Sequence, residues 1–255
     1  MNILACIKRV PDVGARIDLT EDKQAVVTKN LGFTVSPHEE CAVEEAIRLV
    51  EAHGGQSTVL TLGAAAAEEQ LRDSLARGAD RGILLETDEP EWDPGQTAAA
   101  IAAAIRTESQ KEPFDLILFG NDSADSGGCQ VGIRVAHILD LPCVAGIKKL
   151  EFANGGAAAW REVESGWEIF DLPMPALVTV KDGMNIPRYP SLRGTMKAKK
   201  KKVERMSPEK IEAGLQMQRL FHPPELKKDV EMLGEGPGVA PKVVEVLKTL
   251  EVVKS

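Results

Sequence analysis

Over residues 1–145, short continuous apolar runs alternate with longer stretches whose apolar positions recur at helical spacing. Ile3–Ile7 is such a run, ending at Lys8-Arg9, and predicts a short buried strand. After a polar, turn-rich stretch, Glu39–Glu51 sets Ala42, Val43, Ala46, Ile47, Leu49 and Val50 at helical spacing, with Ser36-Pro37 upstream as a start signal. Ser57–Leu62 predicts a strand broken by Gly63, and Ala64–Ala76 a helix closed by Gly78. Gly82–Leu85 is a further apolar run. Thr97–Arg106 reads as a helix after Asp93-Pro94-Gly95, Phe114–Phe119 as a buried strand, and Val131–Leu139 as a helix closed by Pro142. This alternation predicts an α/β fold: a mostly parallel sheet with helices on both faces. No internal repeat supports a solenoid.

The texture changes after Gly146. Ile147–Phe152, Ala157–Val163, Trp167–Phe170 and Ala176–Val180 resemble short strands, separated by turns at Asn154-Gly155-Gly156 and Ser165-Gly166. They predict an antiparallel extension or sheet edge. From Asn185 onward the chain is rich in Pro, Lys and polar residues. Pro187, Pro190, Pro208, Pro223-Pro224 and Gly234–Gly238 argue against a single compact core there. Val239–Val253 has enough Val and Leu for one last helix. A segment of this kind is either partly disordered or laid across a partner.

Composition narrows the class. A chain of 255 residues can bury a sizeable core, and aromatic residues are only 4%, so that core must be mostly Val, Ile, Leu and Ala. A formal charge of -8 favours solubility and argues against a wide nucleic-acid surface. Cys6, Cys41, Cys129 and Cys143 show no CxxC or zinc spacing and read as reduced, intracellular thiols. His38, His53, His137 and His222 form no metal pattern, and no metal is expected. The N-terminus is neither a secretory leader nor a membrane span, and Ala98–Ile105 is too short to cross a bilayer. The expectation is a cytoplasmic protein without an integral membrane segment, with peripheral association left open.

The strongest chemical feature is LILFGNDSADSGGCQVG, residues 116–132. A buried strand runs out at Gly120, a small-residue loop follows, and a helix is expected to begin near Gly128-Cys129. Ligands of open α/β sheets sit at the carboxyl ends of the strands. Glycines permit close backbone approach, and free N–H groups of the following helix can receive phosphate oxygens. Asp122 and Asp125 cannot neutralise phosphate; a ribose hydroxyl or a backbone amide suits them better. The competing reading is an ordinary loop with helix-capping Asp and Ser residues. Neither GxxxxGK[ST] nor GxGxxG is present to decide between them. Gly63-Ala64-Ala65, after the 57–62 strand, is a second possible ligand edge.

Four segments resemble one family, the electron transfer flavoprotein beta subunits: MNILACIKRVPD (1–12), SPHEECAVEEAIRL (36–49), LRDSLARGADRGILL (71–85) and PRYPSLRGTMKAKKKK (187–202). Their order and spacing agree, and the resemblance covers nearly the whole chain, the part after Phe221 being less diagnostic. It implies a fold related to adenine-nucleotide hydrolases and an obligate heterodimer with an alpha subunit that holds most of the redox FAD site. It also implies a carrier of electrons from flavin-dependent dehydrogenases to a quinone oxidoreductase or another acceptor. The flavin supplies the redox chemistry, so the resemblance implies no catalytic acid, base or nucleophile in this chain and no enzyme of its own. Three parts follow from it: a nucleotide-binding core over 1–184, a dehydrogenase recognition loop with a basic segment over 185–203, and a C-terminal arm over 204–255 packing on the alpha subunit.

In the family's AMP-binding members the contacts match Cys6, the segment Ser36, Pro37, His38 and Glu39, the strand end Leu62-Gly63, and a phosphate-side loop. That loop is Asn121, Asp122, Ser123, Ala124, Asp125, Ser126, Gly127, Gly128, Cys129, Gln130 and Val131. Many such members have Asn-Gln-Thr where this chain has Cys129-Gln130-Val131, which removes two side-chain donors. Gln130-Val131-Gly132 is closer to relatives that hold a second FAD here and split electron pairs. Those relatives carry an Asp-Gly-Asp-Thr-like loop, against Asp125-Ser126-Gly127-Gly128 here. AMP is the expected ligand, with a second FAD as the alternative. Val13 and His38 stand where some relatives have aromatic side chains, and His38 is the one histidine expected near the redox flavin.

The family also implies that Leu192 anchors the recognition loop, with Tyr189 beside it and Lys197 and Lys199 steering encounter. An exposed leucine among polar residues suits a shallow apolar pocket. The bland alternative is a solvent loop leading into a basic helix. Five lysines from Lys197 to Lys202 could meet nucleic-acid phosphates, but no base-reading motif or repeated aromatic platform accompanies them, and no nucleic-acid partner is expected. A non-redox adenine-nucleotide-binding module is the better competing class.

Overall fold

The computed structural model describes residues 1–88, 92–153, 156–224 and 230–253. Its elements are β1 (Asn2–Ile7), β2 (Val10–Pro11), β3 (Phe33–Thr34), α1 (Pro37–His53), β4 (Gln56–Gly63), α2 (Glu68–Arg77), β5 (Arg81–Glu86), α3 (Pro94–Ser109), β6 (Leu116–Gly120), α4 (Val131–Leu139), β7 (Cys143–Ala153), β8 (Gly156–Val163), β9 (Gly166–Pro173), β10 (Ala176–Val180), α5 (Leu192–Ala198), β11 (Val203–Met206) and α6 (Ala240–Thr249). One sheet runs β11-β5-β4-β1-β6-β10-β7-β8-β9; the pairings from β11 to β7 are parallel, while β8 and β9 continue antiparallel from β7. The expected parallel sheet with an antiparallel extension is what the chain forms.

Alternate residues of β1 explain why it sits in the middle. Ile3, Ala5 and Ile7 join a core with α1 and α2, and Leu4 and Cys6 join a second core with α3 and α4. A strand covered on both faces must be apolar at every position, which is the pattern of Ile3–Ile7. The helix starts obey capping chemistry. Ser36 Oγ accepts the Glu39 N–H at 3.3 Å while Glu39 accepts the Ser36 N–H at 3.0 Å, and Asp93 with Gln96 repeats the device on α3.

Four expectations change. Ala176–Val180, grouped by sequence with the antiparallel extension, is β10, parallel and fully buried between β6 and β7. Its run lacks the alternation of a half-exposed strand, and that pattern outweighs its nearness to the hairpin. β7 begins earlier than expected, at Cys143, so one strand pairs parallel with β10 at its start and antiparallel with β8 further on. Of the two starts the sequence suggested for α4, Val131 holds and Gly128-Cys129 does not, because Cys129 takes a left-handed backbone (φ 51) that a helix cannot include. Residues 185–206 return to their own core: α5 lies on α2, and β11 pairs with β5 as the sheet edge. Glu204–Met206, where the arm was expected to begin, thus belong to the sheet. Asn154 and Gly155 of the expected hairpin turn lie outside the described residues.

Two compact units divide the chain at Arg219. The second, Leu220–Ser255, contains α6, the last helix expected from the sequence, and no residue of α6 is buried.

Candidate functional site

The sheet reverses its direction of growth at β1 and β6. From β1 the chain adds β4 and then β5 on one side, and β6 on the other. Such a switch point opens a crevice at the carboxyl ends of the strands. Here α1 starts from one face and α4 from the other, so Ser36–Glu39 and Asn121–Val131 converge on the ends of β1 and β6.

Gly120 makes the convergence possible. A Cβ at this position would lie 2.5 Å from Glu39 Cγ and 3.0 Å from the Glu39 nitrogen, so β6 ends directly against the first turn of α1. Three bonds then tie the loop in place. Ser36 Oγ donates to the Asp122 carbonyl (2.9 Å), Lys8 Nζ pairs with Asp125 (2.6 Å), and the Asn121 N–H donates to the Val180 carbonyl (2.8 Å). Thr179 Oγ1 donates to Asn121 Oδ1 (2.7 Å) and accepts the Gly146 N–H (2.8 Å), which fixes the Asn121 amide.

Within the loop, Asp125 Oδ1 accepts the Ser126 N–H (2.7 Å), Ser123 and Ser126 share a hydroxyl contact (3.1 Å), and Gly127 has φ 59. Ala124, Gly128, Cys129 and Gln130 are exposed. Burial, and the Asp122 carboxylate, push the Cys129 thiol above its ordinary pKa, so it is not an activated nucleophile. The Gln130 side chain holds Arg134 (3.0 Å) instead of capping α4. The first turn of α4 therefore has no side-chain cap, and its N–H groups are open to an external acceptor.

Glu39 is buried beneath this edge. Its oxygens accept the Ser36 and Lys8 N–H groups, each at 3.0 Å. Burial pushes its pKa up to about 8, against the opposing effect of those bonds and of the Lys8 charge. Asp125 is held below its usual range: burial opposes this, but the bond and charge of Lys8 prevail. His38 is half-buried, with Nδ1 buried and unpartnered among the described residues. Pro37 is exposed at the first turn of α1.

The remaining expected residues are Cys6, Leu62 and Gly63 at the strands, and four more around α5. Cys6 points into the core beneath α3 and α4, and burial followed by the Glu39 charge raises its thiol pKa well above the ordinary value. Leu62 packs on that same core, and Gly63 pairs with Glu86. Tyr189, Leu192, Lys197 and Lys199 are exposed on a separate surface around α5, and Leu192 is 87% accessible. Lys8 and Thr179 were not singled out by sequence as site residues, and Gly120 was read as the end of the strand before the loop. Lys8 had a signal, because it directly follows a strand at the sheet's carboxyl edge. Thr179 had none, since a hydroxyl inside an apolar run is legible only through its partners.

A groove of about 700 Å³ opens elsewhere, between Phe33–Val35, α2 and α5. Three of its charged lining residues are paired: Arg77 with Asp73 and with Glu40, and Arg72 with Glu68. No group of His, Cys, Asp and Glu among the described residues could hold a metal ion, and no helix among them is long and apolar enough to cross a membrane.

The model of the electron transfer flavoprotein domain matches residues 24–211. The chain is 36% identical over 256 residues to electron transfer flavoprotein subunit beta of Bacillus subtilis, covering 98% of each chain. It is 35% identical over 249 residues to the Syntrophomonas wolfei subunit beta, covering 97% of this chain and 96% of the other. The human subunit beta is 35% identical over 212 residues, 82% of each. With matches of this extent, over a chain whose 121–131 loop lies at the switch point of a mainly parallel sheet, the chain belongs to the electron transfer flavoprotein beta-subunit family.

Proposed function

We propose that this chain is the beta half of a heterodimeric carrier that takes electrons from flavin-dependent dehydrogenases and delivers them to a quinone oxidoreductase or another acceptor. Full-length similarity to subunits of that name is the observation that carries the reading. FAD, held mainly by an alpha subunit, supplies the redox chemistry when bound; this chain contributes binding, orientation and electrostatics. It has no catalytic acid, base or nucleophile in this scheme. The core to residue 184 is the nucleotide-binding part, built on an adenine-nucleotide-hydrolase-like plan. Residues 185–203 recognise dehydrogenases, and the part after Met206 serves as an arm against the alpha subunit. The apolar side chains of α6, none of them buried within the chain, support that last role.

In this reading the 121–131 loop, with Ser36–Glu39, holds AMP. The uncapped α4 N-terminus and the glycines at 127 and 128 suit a phosphate, and burial keeps nearby Glu39 largely neutral. Cys129 and Val131 offer only backbone donors, so phosphate would be held by N–H groups. Asp122, whose Oδ1 is buried and unpartnered among the described residues, would be the acceptor suited to a ribose. Co-expression with each alpha-subunit homologue of the source organism, followed by flavin spectroscopy and reduction by a panel of its purified flavin dehydrogenases, tests the carrier role. A yellow complex reduced by at least one dehydrogenase is expected. A stable flavin-free monomer that no alpha homologue binds, with normal nucleotide affinity, would instead identify a non-redox nucleotide module.

A further inference from the structure

The segment between β10 and α5 is pinned at both ends to its own core. At its start, Asn185 Nδ2 donates to the Cys41 carbonyl and to Glu45, each at 3.0 Å. Arg188 then binds two carboxylates of α1 at once. Its Nε and Nη2 donate to Glu44 at 2.9 and 3.1 Å, and its Nη1 and Nη2 donate to the two oxygens of Glu51 at 2.7 and 2.9 Å. The Arg188 backbone N–H adds a further bond to Glu44 at 3.1 Å. At the far end, α5 sits so close to α2 that a Cβ on Gly194 would lie 2.2 Å from the Ala76 carbonyl oxygen. Arg72 donates to the Ala198 and Lys201 carbonyls, each at 2.6 Å. Between the two anchor points, Ile186, Tyr189 and Leu192 stand in solvent, each more than four-fifths exposed.

We propose that Arg188 is a positioning residue: by clamping the segment to Glu44 and Glu51 it presents Leu192 already ordered to an electron-donating partner. This rests on Leu192 being the docking anchor. A planar guanidinium can serve two carboxylates at once, whereas an ammonium is a single point charge. The Glu44 side chain is only 3% exposed, so an unpaired Glu44 would be a buried, uncompensated charge. Burial works against the ionised Glu44, yet its bonds to Arg188 and Arg48 hold it below its ordinary pKa; Glu51 and Glu44 raise that of Arg188. The clamp therefore stays ionised at neutral pH. A segment ordered beforehand does not lose its freedom at the moment of docking, and that saving appears as affinity.

The test uses the full complex and the dehydrogenase that reduces it fastest in the panel above. Arg188→Gln should speed amide exchange over residues 186–193 and raise the KM for the carrier roughly tenfold, the loss expected when one or two side chains must order on binding. Turnover at saturating carrier and reduction by dithionite should stay near wild type. Arg188→Lys should recover only part of the loss. Glu51→Gln, which leaves buried Glu44 paired, should shift KM in the same direction by less, and it serves if Arg188→Gln does not fold. If Leu192→Ala raises KM while neither Arg188→Gln nor Glu51→Gln does, the clamp role is overturned and the docking reading stands. If Leu192→Ala leaves KM unchanged, the docking reading and the clamp's purpose fall together. A matching loss with dithionite would mean damage at the flavin and would also overturn the clamp.

Discussion

At the scale of single residues, Gly120 and Glu39 carry the sharpest consequences. Gly120→Ala would drive a methyl into the Glu39 backbone and side chain, and overpacking of this kind costs about 1–3 kcal/mol. Denaturant unfolding should show that loss; unchanged stability would mean that β6 and α1 are not so closely apposed. Glu39 makes stability depend on pH. Its folded pKa, about 8, lies above the unfolded value of about 4.3. Between those values the folded chain holds a proton that the unfolded chain has released. This group's contribution is therefore complete below about pH 4 and is lost as pH rises toward 8. Subtracting the pH–stability curve of Glu39→Gln from that of wild type should expose a downward slope across that window, and a flat difference would refute it. The sequence made Ser36 legible as a helix start, because capping is local. Glu39's burial was not legible, because it depends on Gly120, distant along the chain.

Among elements, α5 differs most from its sequence reading. A Pro- and Lys-rich stretch read as a recognition loop, or as a solvent loop before a basic helix, but Gly194 lets that short helix settle on α2 and the lysines that follow lead into β11. This gives Leu192 a firm base. Leu192→Ala should slow dehydrogenase-driven reduction at nonsaturating carrier by roughly thirtyfold, which corresponds to about 2 kcal/mol for a fully desolvated anchor. Bound flavin and dithionite reduction should be unchanged; equal dehydrogenase-driven rates would reject the anchor. The long helices were legible almost to their ends, since periodicity and caps lie within each segment. The place of β10 was not, because a continuous apolar run states that both faces are covered and leaves open which strands flank it.

For the whole molecule, the ligand is the open quantity that a bulk measurement can reach. Denaturing the purified complex should release one AMP and one FAD per heterodimer, and two FAD without AMP would make the electron-splitting type the better description. If AMP is structural, complex stripped of it should melt at a lower temperature and recover on addition of AMP, by about 2.7 kcal/mol at a hundredfold excess over Kd. No recovery would count against a structural role. The sequence by itself determined the α/β class, the burial of β1, the start signal of α1, and the family, through four local segments. Each of these is written in residues near one another, as periodicity, caps or motif. Tertiary structure alone decided that β1 and β6 meet at the switch point, that Lys8 reaches Asp125, that Cys6 is buried in the core with α3 and α4, and that Arg188 closes on Glu44 and Glu51. Those contacts join residues remote in sequence, and which of many chemically equivalent charges and glycines come together is settled only when the sheet and its helices pack.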